Sequence, residues 1–230
     1  MDGLQPPLIS DVGIKRGMMN LTLDDLKKGI SWWHKEKKEK WPQDFHNELY
    51  YQLYDLKKDG LTGKWWESTV DRLWEWRALR SKKPPKTKRE IHERGLEILS
   101  KLQAYYADIS SKAKDEPVFL EFTWAEIRGF YDTLAWIKGC SSPNFPSKLG
   151  HFIFPKLFRV MDHQATGVED YGVFWSSMSE DWSSFQQKQE AKTILTSHIL
   201  EYSGRPVHEQ YPFEIKIIEL CSIGRKHKKA

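Results

Sequence analysis

The chain is short of most features that announce a function. Two cysteines, Cys140 and Cys221, stand far apart without CxxC spacing, so neither a disulfide framework nor a structural zinc site is indicated and a reducing compartment fits best. There is no amino-terminal apolar stretch of the signal-peptide kind, and no run approaches the ~18 apolar residues that span a bilayer. A soluble, cytoplasmic protein with no membrane partner is the expectation. Also missing are a GxxxxGK phosphate loop, a GxSxG elbow, an HExxH pair and an EF-hand loop. A cysteine quartet for an iron–sulfur cluster is absent, and His198 and His208 have no zinc partners nearby in sequence, so no metal and no cofactor is expected. Strand signals are scarce as well. VFLEF at 118–122 alternates, but five residues without a partner strand make no sheet.

What is present is aromatic, charged and helical. The composition is 39% hydrophobic, 30% charged and 13% aromatic, the balance of a globular chain rather than a disordered one. Eleven tryptophans come partly in tight groups, Trp32 with Trp33, Trp65 with Trp66, Trp74 with Trp76. Such groups fill a core or offer platforms on which bases stack. A net charge of +4 does not demonstrate a polyanionic partner, but its distribution is uneven. RSKKPPKTKR at 80–89 and RKHKK at 225–229 concentrate positive charge, either as solvated loop and tail or as phosphate contacts.

At 230 residues the chain can bury a core as one domain or as two intimately packed helical lobes. Pro84 and Pro85 interrupt it, dividing a helical region 1–85 from a helical region 86–230. Thr22 with Asp25 makes an N-cap pattern ahead of Leu26, Ile30 and Trp33. Helical spacing recurs from about Gln43 to Lys58 and again from Leu61 to Leu79. Thr87 with Glu90 reads as the capping box of one long helix to about Lys112. Thr123 with Glu126 caps a helix that stops at Gly139. Gly167 and Gly172 mark a turn-rich stretch, Asp181 is read as opening a helix to about Tyr202, and Pro212 as starting a last helix that ends at Gly224. The paired acids Glu169–Asp170 and Glu180–Asp181 look like helix-start and surface charges. The class is all-α.

The most informative stretch is 139–163, GCSSPNFPSKLGHFIFPKLFRVMDH. A glycine turn leads through Pro146, Ser147 and Lys148 into a short apolar helix, and a second apolar run then ends on Asp162 and His163. Ser147 would cap a helix whose exposed amides, with Lys148, suit an anion; plain capping is the other reading. An acid directly after Leu157, Phe158, Val160 and Met161 sits at a core edge, where burial shifts a carboxyl pKa and where acids with a chemical task are found. Asp162 equally fits a simple N-cap of the segment that follows.

Helix, glycine turn, short helix, apolar run and aspartate in this order resemble the helix-hairpin-helix DNA glycosylases, an all-α superfamily that removes damaged or modified bases from DNA. The resemblance covers residues 137–163 and implies DNA as partner. It places Ile137, Lys138, Gly139 and Cys140 at the hairpin turn, Lys148 near the lysine that some members use as nucleophile, and Asp162 at the catalytic acid. The family's hairpin usually carries two glycines where this chain has Gly139 alone. The interval from Lys148 to Asp162 is also shorter than usual, which favours aspartate-assisted hydrolysis over attack by Lys148.

On that reading Asp162 stabilises the positive charge that builds on the sugar, or activates water. The flipped base would stack on Trp136, Tyr131, Phe145 or Trp175. His151 and His163 would donate hydrogen bonds or shuttle protons. Gly139, Ser147, Lys82, Lys83, Lys86, Lys88, Arg89, Arg225 and Lys226 would contact phosphates. The rival is a non-enzymatic helical protein that binds nucleic acid or a protein partner. The sequence does not specify an oligomeric state.

Overall fold

The computed structural model describes residues 21–37, 45–76, 78–79, 87–139, 142–161 and 170–227, and among these the chain is all-α, with ten α-helices and no strand. In chain order they are α1 (Leu23–Lys37), α2 (Phe45–Leu56), α3 (Gly63–Glu75), α4 (Lys88–Glu97), α5 (Leu99–Lys112), α6 (Trp124–Lys138), α7 (Asn144–Ile153), α8 (Tyr171–Ser184), α9 (Lys188–Ser203) and α10 (Phe213–Lys226). VFLEF is no strand; Phe119–Glu121 forms a 3₁₀ turn tied by the Phe119 N–H to the Lys156 carbonyl at 3.0 Å. No described helix is long and apolar enough to cross a membrane.

One contiguous apolar core runs from Leu21 to Cys221. The helices before Pro84 do not pack among themselves alone: α1 lies on α10, α2 touches α9, and α3 touches α4 and α7. The α1–α10 crossing is the closest. A Cβ added at Gly29 would lie 1.9 Å from the Leu220 carbonyl oxygen, and one at Gly224 would lie 2.0 Å from the Asp25 carbonyl oxygen. Only glycine permits that approach. At one end of the crossing Thr22 and Asp25 cap each other, the Thr22 N–H to Asp25 Oδ2 and the Asp25 N–H to Thr22 Oγ1, both 3.1 Å. Arg225 also pairs with Asp25 at 3.0 Å, and Trp32 stacks on His227 with centroids 4.3 Å apart.

Two helix boundaries differ from the periodicity. The long helix expected from Thr87 to Lys112 is two helices, broken at Ile98 (φ −111°, ψ 10°). A side chain of α3 packs on α4 before this point. Trp66 presses its indole onto Gly95, where a Cβ would meet it at 1.9 Å. Its Nε1–H donates to the His92 carbonyl at 2.9 Å, which fastens α4 to α3 ahead of the break. Further on, Asp170 caps α8 by accepting from the Val173 N–H at 2.8 Å, and Gly172 lies inside its first turn. Asp181 therefore does not open a helix. It sits near the end of α8, and the chain then breaks at Phe185, a core residue 1% exposed, before α9 begins.

Candidate functional site at the approach to Asp162

The helix, glycine turn and helix of the sequence reading are present. Gly139 takes the left-handed conformation (φ 60°, ψ 38°) and its N–H closes α6 on the Ala135 carbonyl at 3.0 Å, the C-cap geometry that glycine adopts without penalty. The next helix starts at Asn144, so Ser147 lies inside α7 rather than capping it. Its hydroxyl donates to the Asn144 carbonyl at 3.1 Å and accepts from the Met161 N–H at 3.1 Å.

That second bond belongs to a larger arrangement. After α7 the chain runs non-helically through Phe158–Met161, buried throughout, with no strand among the described residues to satisfy its backbone. Buried backbone groups need partners, and side chains of α7 and α8 supply them. The Leu157 carbonyl accepts from Trp175 Nε1–H at 2.9 Å. The Phe158 carbonyl accepts from His151 at 2.7 Å, the Arg159 carbonyl from the Tyr171 hydroxyl at 2.7 Å, and Met161 N–H donates to Ser147. Because a carbonyl only accepts, His151 Nδ1 carries the proton. Its Nε2 therefore accepts from the Tyr50 hydroxyl at 2.7 Å.

Two residues read as substrate contacts, His151 and Trp175, thus bond to backbone. His151 is fully buried, and burial first, with the Lys216 and Lys57 ammonium groups adding to it, pulls its pKa well below the ordinary imidazole value. A neutral imidazole so enclosed orients rather than shuttles protons. Tyr131 stacks on Tyr171 (centroids 4.5 Å, planes 3° apart), while Phe145 and Trp175 are 0% and 3% exposed. A base would reach these three rings only if the core opened. Trp136 alone of the four aromatics is at the surface, 47% exposed, with the Arg94 guanidinium 4.1 Å over its ring.

Lys148 is buried, its ammonium 3.0 Å from the Trp76 carbonyl and 4.7 Å from the Trp76 ring centroid. Lys138 donates to the Ala78 carbonyl at 2.7 Å. Lys148 therefore meets the carboxyl end of α3, where carbonyls and the helix dipole favour cations, and Lys138 meets the chain just after it. Of the basic runs, Lys88 pairs with Asp71, Arg89 with Glu93 at 2.8 Å and Arg225 with Asp25 at 3.0 Å; Lys226 is exposed at the end of α10. Asp162, His163, Lys82, Lys83 and Lys86 lie outside the described residues.

Arg159 joins these residues without a motif to announce it; a cation inside the apolar run LFRVM is its one signal in the sequence. It is 1% exposed. Its guanidinium lies 4.0 Å over the Phe174 ring, donates to the Ile218 carbonyl at 3.2 Å and to the Ser222 hydroxyl, and faces the Asp181 carboxylate at 4.0 Å. Burial raises the Asp181 pKa while Arg159 opposes the rise. Asp181 is therefore a buried partner, not the surface charge expected of it. Beside it the Lys216–Glu219 pair, 2.8 Å apart, is also buried. Among the described residues no group of three or more His, Cys, Asp or Glu could hold a metal ion. No family model, curated protein or solved structure matches the chain.

Proposed function

We propose that the chain is a DNA-acting N-glycosidase that removes a modified base, with Asp162 as the acid and Lys148 as a structural cation rather than a nucleophile. The single observation carrying this reading is the fixing of the backbone up to Met161. Four side-chain hydrogen bonds from α7 and α8 tie residues 157–161, and the next residue in the chain is Asp162. A catalytic carboxylate has to be held within about 0.5 Å of its working position, and a backbone anchored in this way is what such a group requires. The bond from Lys148 to the end of α3 supports aspartate-assisted hydrolysis, since Schiff-base attack needs a free amine reaching the sugar.

The test is base release from a panel of duplex oligonucleotides carrying deaminated, oxidised and alkylated bases. Asp162→Asn should lower release about 10²–10³-fold, the magnitude typical of removing one charge-stabilising group. Borohydride should trap no covalent complex with the wild type, and Lys148→Met should retain activity if it folds. Release undiminished in Asp162→Asn, or none by the wild type from any substrate, removes the proposal. The ion pairs that occupy Lys88, Arg89 and Arg225 favour a second reading, a helical partner-binding protein without chemistry. That reading is supported if DNA binding at ~50 mM salt is no stronger than at ~200 mM.

A further inference from the structure

A cleft of about 360 Å³ shares no lining residue with the proposed acid or with the side chains that anchor the backbone before it. Its walls come from four places in the fold: the 3₁₀ turn with Phe119 and Leu120, Lys156 after α7, Trp182 in the last turns of α8 with Lys192 on α9, and Tyr211 through Ile215 at the start of α10. The lining is mainly aromatic and aliphatic, with a few charged groups at defined points, which is the composition of small-ligand sites. Leu120, 51% exposed, stands at its rim.

The charges set the ligand's sign. Lys192 and Lys156 each contact a carboxylate, Lys192 with Glu214 at 2.6 Å and Lys156 with Glu116 at 3.1 Å. Beyond those pairs, Lys188 brings a further ammonium 5.2 Å from the Trp182 centroid, and Lys192 lies 5.9 Å from the same ring. In addition α10 begins at Pro212 without a side-chain cap, and its first turn, Phe213 to Ile215, lines the cleft. Three ammonium groups thus face two carboxylates, Glu214 itself standing in that first turn, and the positive end of the helix dipole adds to this margin of one. An anion entering here would share Lys156 or Lys192 with the carboxylate already there, and a flat ring would lie against Trp182 and Phe213. The space, about a dozen water volumes, suits roughly as many non-hydrogen atoms.

We infer that this cleft binds a small planar aromatic carboxylate. The test uses the full chain with 2-naphthoate, 2-naphthylmethanol and 2-naphthylmethylamine as probes of one shape and three charges, titrated by calorimetry and ligand-observed NMR. The acid should bind about tenfold more tightly than the alcohol, the step expected of one charge-assisted hydrogen bond, and the amine more weakly than either. Lys156→Gln and Lys192→Gln, each checked for an unchanged circular dichroism spectrum and melting curve, should weaken the acid about fivefold while leaving the alcohol unchanged. The inference fails if the alcohol or amine binds as tightly as the acid, if neither lysine variant alters the acid's affinity, or if the acid shows no binding at ~5 mM. None of these outcomes bears on base release, so this site and the glycosidase reading stand or fall separately.

Discussion

Acid should destabilise the protein through His151 before its carboxylates are touched. The imidazole is fully buried between the Tyr50 hydroxyl and the Phe158 carbonyl, each 2.7 Å away, with the Trp76 ring alongside at 6.4 Å. The charged groups that depress its pKa are Lys216 and Lys57. No carboxylate is among the causes of the shift to favour the imidazolium. The folded-state pKa is lowered, so the unfolded chain binds a proton below about 6.5 that the folded chain refuses. Stability is therefore present above that pH and lost as pH falls. With the folded pKa well below the window, the loss is RT ln(1 + 10^(6.5−pH)), about 1.4 kcal/mol between pH ~7.5 and ~5.5. Urea unfolding followed by tryptophan fluorescence measures it. His151→Gln keeps an N–H for the Phe158 carbonyl and an acceptor for Tyr50 but does not titrate, so its loss over the same window should be smaller by that amount. Comparing the two proteins cancels the remaining histidines, His208 included. Equal slopes in wild type and variant would refute the burial of a neutral His151.

Other perturbations test the packing and the anchors. Gly29→Ala or Gly224→Ala places a methyl group about 2 Å from a backbone oxygen of the opposite helix, which neither helix can yield cheaply; each should cost about 3 kcal/mol or more and lower Tm by about 6–12 °C in calorimetry. Ser147→Ala leaves the buried Met161 N–H without its acceptor, and denaturant titration should show a loss of about 1–3 kcal/mol. The Cys221 thiol is buried and pushed up to about 12, so a thiol reagent at pH ~8 should modify it at the rate of unfolding, reaching a full reaction only in denaturant.

The all-α class and most of the helix ends were legible because their causes are local. The Thr87–Glu90 box closes with a 2.6 Å bond from the Thr87 N–H to the Glu90 carboxylate, the Glu126 carboxylate accepts from the Thr123 N–H at 2.7 Å, and Gly139 takes the left-handed cap. What was not legible depends on residues distant in sequence. The contact of Trp66 with Gly95 and His92, ahead of the break at Ile98, joins two different helices. Asp181 was misplaced because its partner Arg159 lies on a different segment. Ser147, His151, Tyr131 and Trp175 were singled out for their chemistry, yet their hydrogen-bond and stacking partners are in the core. A residue type read along one strip of sequence does not reveal whether its polar atom meets a ligand or the chain's own backbone. The non-helical stretch before Asp162 is the reason Ser147, His151 and Trp175 meet backbone here.

The α1–α10 crossing has a consequence for synthesis. Asp25 and Arg225, which meet there at 3.0 Å, are 200 residues apart. At roughly 5–20 residues per second a ribosome needs about 10–40 s to make that interval. During that time Leu26 and the glycine face of α1 have no α10 to cover them. The native closure of the core is thus reserved for the moment α10 emerges, and a nascent chain stalled before Phe213 would display the uncovered apolar face of the otherwise charged α1 to chaperones or to the α10 of another copy.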